Sequence, residues 1–295
     1  MGLLISDICH PKCNDNQLHL GWVIFTLGTS SLYRLLFMPQ DFFMNQLFEF
    51  SKQITPYLAG KLESLPNNPQ QHGIIHFDHN SRLLIQDLYE SIAKNSPEAG
   101  KAYWLTRTWD LLCWQPLYLS FVSVYACQAL PDLKRIAQFV QNDFVAGYQF
   151  ETSDHTHGDQ SALIALAGQD LQTLFEHYRN EMSEWTRIRP GFTHHLLADG
   201  ILRCIVKLKK YAPELTNHYL LEQAKLWLFA CGLPEQLTQS LSIDPATNEL
   251  KFVRTSCCLV YKCAGRKLCS DCPRAIENKR VPNSKAVSNR IKSTL

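Results

Sequence analysis

Apolar residues recur along this chain with helical rather than strand spacing. Ser81 precedes Leu83, Leu84, Leu88 and Ile92, which share one face and predict a short amphipathic helix. From Glu98 to Trp114, Tyr103, Trp104, Leu105, Trp109, Leu112 and Cys113 repeat at helical intervals. Pro116 is then expected to interrupt, with a second apolar helix running to about Ala129. Asp159 is placed to cap a long amphipathic stretch through Leu163, Leu166, Leu171, Leu174, Tyr178, Met182 and Trp185. Gly191–Tyr211 and Thr216–Cys231 predict two more helices, the second closed by Gly232 and Pro234. Strand patterning is confined to Phe144–Phe150 and Leu250–Arg254, and the Pro/Asn/Gln-rich run from Leu65 to Gln71 reads as an exposed loop. The expected fold is mainly α with a small β component (α+β): a helical body over residues 1–250, a Cys-rich segment over 251–276 and a basic, flexible tail over 277–295.

Composition suits a globular chain long enough to bury a sizeable core, with 45% hydrophobic and 11% aromatic residues among 295. The first residues, MGLLISDICHPKC, lack the basic start and apolar run of an export signal. Met1, Gly2 and Ser6 match a short myristoylation pattern that we read as accidental. Gln115 to Leu130 is apolar but shorter than the about 20 residues a spanning helix requires. A soluble, cytoplasmic protein is expected. Eleven cysteines scattered over this length do not form a small secreted disulfide scaffold. Cys113, Cys127, Cys204 and Cys231 sit among apolar neighbours as buried free thiols do, and Cys9, His10 and Cys13 read as an incidental N-terminal group.

The net charge of +2 conceals an asymmetry. Residues 251–295 carry 11 Lys/Arg against 2 Asp/Glu, a balance of +9, which leaves −7 on the preceding 250. Arg254, Lys262, Arg266, Lys267 and Arg274 crowd one short stretch, a patch that attracts acidic partners.

That stretch also holds the chemistry. It reads RTSCCLVYKCAGRKLCSDCPR, placing Cys257 beside Cys258, then ten residues, then Cys269 and Cys272. Cys269 and Cys272 have the spacing with which two sulfurs reach one metal ion. The adjacent pair is unusual, because neighbouring side chains in an extended segment point to opposite faces. Zinc sites separate paired ligands by about two to four residues, whereas a two-iron cluster is broader and accepts a less regular pair. A vicinal disulfide would need a Cα separation below the usual range of about 4.4–6.8 Å. Iron–sulfur is the favoured reading, with zinc as the alternative.

At these residues the chain resembles the FhuF-type ferric-siderophore reductases. The likeness is carried by Arg254, Thr255, Ser256, Cys257, Cys258 and Leu259, by Tyr261, and by Cys269, Ser270, Asp271, Cys272 and Pro273. It spans about twenty residues; upstream it extends only to length, helical character and a Trp-rich centre. The resemblance implies a 2Fe–2S cluster on Cys257, Cys258, Cys269 and Cys272, with 269/272 on one iron and 257/258 on the other as the expected division. Cys263, inside the spacer, departs from the family pattern and reads as a lone loop thiol.

It further implies an oxidoreductase that passes single electrons to siderophore-bound Fe(III) and releases Fe(II). No G-x-G-x-x-G follows a strand, so electrons are expected from a donor protein such as a ferredoxin. Nucleic acid is not an expected partner; the cytoplasmic face of the inner membrane is an alternative contact for the basic patch. Trp104, Trp109, Trp114 and Tyr118 are candidate pocket walls, with core packing as the commoner role of such a stripe. His155 and His157, and His194 with His195, have the spacing for metal or proton binding, with a solvated position as the commoner role of such pairs. Tyr261 is expected to shield the cluster. Two rival functions remain: a zinc-stabilised interaction or nucleic-acid-binding protein, and an iron–sulfur sensor without a substrate.

Overall fold

The computed structural model describes residues 41–278. Its fold is mainly α with a small β component, as the periodicity predicts. Six α-helices lie within the described residues: α1 (Asp41–Ile54), α2 (Arg82–Asn95), α3 (Lys101–Val122), α4 (Gln160–Ser183), α5 (Pro190–Tyr211) and α6 (Asn217–Ala230). Helix α1, with Phe43, Met44 and Leu47 buried, was not anticipated. The anticipated cap of α4 forms, with Asp159 accepting the Ala162 N–H at 2.8 Å, and the structure adds a cap to α6, where Thr216 accepts that of Tyr219 at 3.1 Å. Ser81 precedes α2 as expected, but its hydroxyl donates to the His79 carbonyl instead of capping the helix.

The central element is α3, which packs against α1, α2, α4 and α5. It corrects the expectation at Pro116, because the helix runs straight through that residue and continues as one π turn over Ser123–Cys127. A proline has no N–H to give the carbonyl four residues back, here that of Leu112. The side-chain amide of Gln138 supplies the missing donor, reaching Leu112 O at 2.9 Å. Gln138 is fully buried, and its amide also donates to the Tyr178 hydroxyl at 2.8 Å. A residue on a strand thereby repairs the helix.

Strand patterning underestimated the β component. A four-stranded sheet has the order β1 (Gly60–Leu62), β5 (Phe144–Phe150), β4 (Ala137–Gln141), β2 (Ile74–Ile75). β1 runs parallel to β5 with Gly60 opposite Tyr148, and the other pairs are antiparallel. The anticipated β5 is buried along nearly its whole length, which accounts for its continuous apolar run. The shorter strands carry too few residues to show a period of two. Among them, β3 (Ala129–Pro131) pairs with β6 (His155–His157), and β7 (Leu241–Ile243) forms a hairpin with β8 (Leu250–Phe252). β8 stops short of the anticipated Arg254, where the chain leaves to form the cysteine segment.

The Trp stripe is core, not a pocket wall. Trp109 and Trp114 are buried, and the Trp114 indole N–H donates to Val145 O at 3.0 Å. Trp104 is half-buried with its N–H on Ser96 O, and the Tyr118 hydroxyl accepts from Lys207. Cys113, Cys204 and Cys231 are buried as expected, Cys127 partly so. Among the described residues no helix is long and apolar enough to cross a membrane. The N-terminal myristoylation pattern, the Cys9/His10/Cys13 group and the tail beyond Asn278 lie outside the described residues.

Candidate metal centre

The cysteine segment leaves β8 and is held by α5. Asp199 and Arg203 are one turn apart on that helix and so share a face. Gly200 lets this turn approach α3 closely, since a Cβ there would meet Leu117 at 2.7 Å. The buried Asp199 carboxylate accepts two consecutive backbone N–H groups, Thr255 at 2.7 Å and Ser256 at 2.8 Å. Arg203 donates to the Asp271 carboxylate at 2.9 Å. One helix face thus grips the segment immediately before Cys257 and again between Cys269 and Cys272.

Other bonds join the two halves. The Arg254 N–H donates to Asp271 O at 3.0 Å, and Asn278 donates through its side-chain amide to the carbonyls of Ser270 and Cys272. The Ser240 and Thr255 hydroxyls lie 2.9 Å apart, which ties the segment to the β7 end. Glu98, at the entry to α3, accepts the Ala264 N–H at 2.8 Å on the other side.

The adjacent cysteines are accommodated by a sharp backbone bend. Leu259 has φ +62°, in the left-handed region that L-residues rarely adopt, and leads into a single 3-10 turn over Val260–Lys262. Gly265, at φ +73°, makes a second bend that Gly takes without strain. Cys269 O accepts the Cys272 N–H at 3.1 Å, a tight turn that brings both thiols back.

The four thiols meet as two pairs. Cys257 Sγ lies 3.8 Å from Cys272 Sγ, and Cys258 Sγ lies 3.3 Å from Cys269 Sγ. Two sulfurs bound at about 2.3 Å to one tetrahedral ion stand about 3.8 Å apart, so the 257/272 pair has single-metal spacing and the 258/269 pair reaches it with a small opening. The close thiol partners are 257/272 and 258/269, because the two halves of the segment lie across from one another. Among the described residues no three His, Cys, Asp or Glu side chains gather as a single-ion site requires. Two thiol pairs fit a two-metal centre better than one zinc ion. Cys258 and Cys272 are buried, whereas Cys257 and Cys269 are half-buried and reach toward the surface.

Electrostatics favour thiolate at Cys258 alone, while its partner Cys269 is pushed up, chiefly because it holds the shared proton. Cys258 is pulled down to about 6, chiefly because Cys269 donates a hydrogen bond to it and with help from the Arg254 guanidinium, while burial opposes. Burial pushes Cys257 up. Beneath the thiols, burial raises Asp199 and Asp110, against the pull of Arg254 and Arg203 on both and of Arg107 on Asp110. The segment therefore rests on a buried network of mixed charge that sequence reading did not find. Asp199 lies more than fifty positions upstream with no local motif to mark it.

Of the remaining candidates, Cys263 stands apart from both thiol pairs and half-exposed. Tyr261 lies beneath the Arg274 guanidinium, 5.6 Å from its ring centroid, and so links the two halves of the segment. His194 and His195 are exposed in the first turns of α5. His155 and His157 face each other on β6.

Two facing thiol pairs in a cationic surround give the segment the ligand set of an iron–sulfur centre. Residues 254–274 match the family model of the FhuF 2Fe-2S C-terminal domain, a 2Fe–2S cluster-binding domain. The match covers the cysteine segment from Arg254 to Arg274 and stops at the helical body. No solved structure matches this chain.

Proposed function

We propose that the protein is a ferric-siderophore reductase, an oxidoreductase that converts chelated Fe(III) to Fe(II) one electron at a time in the cytoplasm. Cys257, Cys258, Cys269 and Cys272 would hold the 2Fe–2S cluster, 257 with 272 on one iron and 258 with 269 on the other. When bound, that group supplies single electrons, in plant-type ferredoxins at about −400 mV.

The observation that carries this reading is a recess whose wall includes residues that flank the cysteines in sequence. It has a volume of about 450 Å³ and is lined by Gln236, Gln239, Ser240, Thr255, Pro273 and Asn278 among others. Pro273 directly follows Cys272, and Thr255 lies two residues before Cys257. Its size falls in the range of small-molecule sites, about 300–1,000 Å³, and its amides and hydroxyls suit an oxygen-rich chelate. The protein need not ligate the substrate iron. Hard oxygen donors hold Fe(III) far better than the larger, less charged Fe(II), so reduction loosens the chelate, and capture of Fe(II) draws the transfer forward.

The exposed residues of the basic segment suit an electron donor. Leu268 and Ile276 are exposed, and so are the cations Lys262, Lys267 and Arg274 of the same segment. We assign these residues to an acidic one-electron carrier such as a ferredoxin, drawn by charge complementarity.

The test uses anaerobically reduced protein mixed with ferric siderophores, following the visible spectrum and Fe(II) capture by a ferrous chelator. Reoxidation with one Fe(II) per electron supports the proposal, and NADPH without a donor protein should produce no turnover. Gln236→Trp should fill the recess and raise KM for the chelate while leaving the spectrum unchanged. A reduced protein that no ferric siderophore reoxidises would instead be a sensor.

A further inference from the structure

We propose that His155 and His157 form a two-imidazole site for a borderline divalent transition-metal ion, separate from the thiols and independent of what the cluster reduces. The two residues alternate on β6, so both side chains leave the same face of the strand. The strand is locked in register against β3, with His157 opposite Ala129 and His155 opposite Pro131. Their Nε2 atoms converge to 3.1 Å. Two nitrogens at about 2.0–2.1 Å from one tetrahedral ion stand about 3.3 Å apart, so a metal needs only a small opening of the pair.

The tautomer is prepared as well. His155 Nδ1 lies 2.8 Å from Ser153 O, a carbonyl that can only accept, so Nδ1 carries the hydrogen and Nε2 presents its lone pair. Metal-ligating histidines are commonly oriented by such a bond on the other ring nitrogen. Phe43 stacks on the His155 ring at a centroid distance of 4.4 Å and fixes its plane, while His157 is exposed and free to adjust. Without metal the rings share one N–H···N bond, with His157 as donor. With metal that hydrogen leaves the space between them and His157 carries its proton on Nδ1.

Among the described residues no third His, Cys, Asp or Glu joins the pair. Water or a small oxygen ligand would complete the shell, giving an exchangeable site. Imidazole donors select zinc, copper and nickel over magnesium and calcium.

The test is calorimetric titration of Zn²⁺ into the full-length, cluster-loaded protein, whose four cluster thiols are then occupied. The parent should take up one more micromolar equivalent than His157→Gln, with magnesium failing to compete. His157→Gln should lose that equivalent, or hold it at least tenfold more weakly, with an unchanged visible spectrum. Identical isotherms for parent and variant would reduce the pair to a hydrogen-bonded couple and overturn the proposal. Should the variant lose its cluster, zinc-edge X-ray absorption of the loaded parent decides. Two imidazole nitrogens support the site, and a sulfur-dominated shell overturns it.

Discussion

Asp199 and Ser256, 57 positions apart, are joined by a 2.8 Å hydrogen bond that sets the approach to the adjacent cysteines. The same carboxylate holds Thr255, and Arg254 stands 3.8 Å away. Asp199→Ala would leave two backbone N–H groups and a buried guanidinium without that carboxylate. Breaking such a network costs about 3–5 kcal/mol. The variant should purify with substoichiometric iron and sulfide, and Arg203→Ala should speed cluster loss to a chelator. Asp199→Ala with full iron content and parental cluster lifetime would show that the bend forms without this anchor.

Cysteine replacements separate the four paired thiols from the rest. Cys258→Ser and Cys272→Ser should abolish the visible spectrum and labile sulfide, because both thiols are buried within the pairs. Cys263→Ser should leave iron content unchanged. Elemental analysis and absorbance decide, and zinc in the parent would refute the two-iron reading.

The bond from Gln138 to the carbonyl left open by Pro116 can be examined by a double-mutant cycle. Gln138→Leu strands Leu112 O and removes the donor to Tyr178, costing about 1–3 kcal/mol. Pro116→Ala restores a backbone N–H to the helix and should recover part of that loss in the double variant. Denaturant titration of the four proteins reads the coupling; strictly additive effects would dissociate the two residues.

Acid sensitivity should trace partly to His76. It is 1% exposed, burial lowers its pKa, and its Nδ1 accepts the Asp78 N–H at 3.2 Å, which requires the unprotonated ring. His177 is lowered for the same reason. Between the folded pKa and the unfolded value of about 6.5 the unfolded chain binds the extra proton, so this contribution is present above that value and lost as pH falls. The drop in Tm between about pH 7.5 and 5.5 should therefore be smaller in His76→Gln than in the parent. An equal drop would place the sensitivity elsewhere.

The helices from α2 to α6 were legible because apolar residues recur in them at helical intervals, and α4 carries its capping side chain, Asp159, at the predicted position. Pro116 misled because a proline announces a missing donor locally, whereas the substitute arrives from β4. The short strands escaped notice for a related reason: with two to five residues apiece, their pairing partners define them more than their own patterning does.

By itself, the order of residues determined the chemistry: four thiols at that spacing within a cationic stretch, and a body whose apolar periodicity is helical. Tertiary structure alone decided which thiols face each other, that Asp199 and Arg203 grip the segment from one side of α5, and that a recess opens next to Pro273. Ligand identity is written in side-chain type and local spacing, which a linear chain displays. Pairing, burial and access depend on contacts between residues far apart in sequence, and these exist only once the helices have packed.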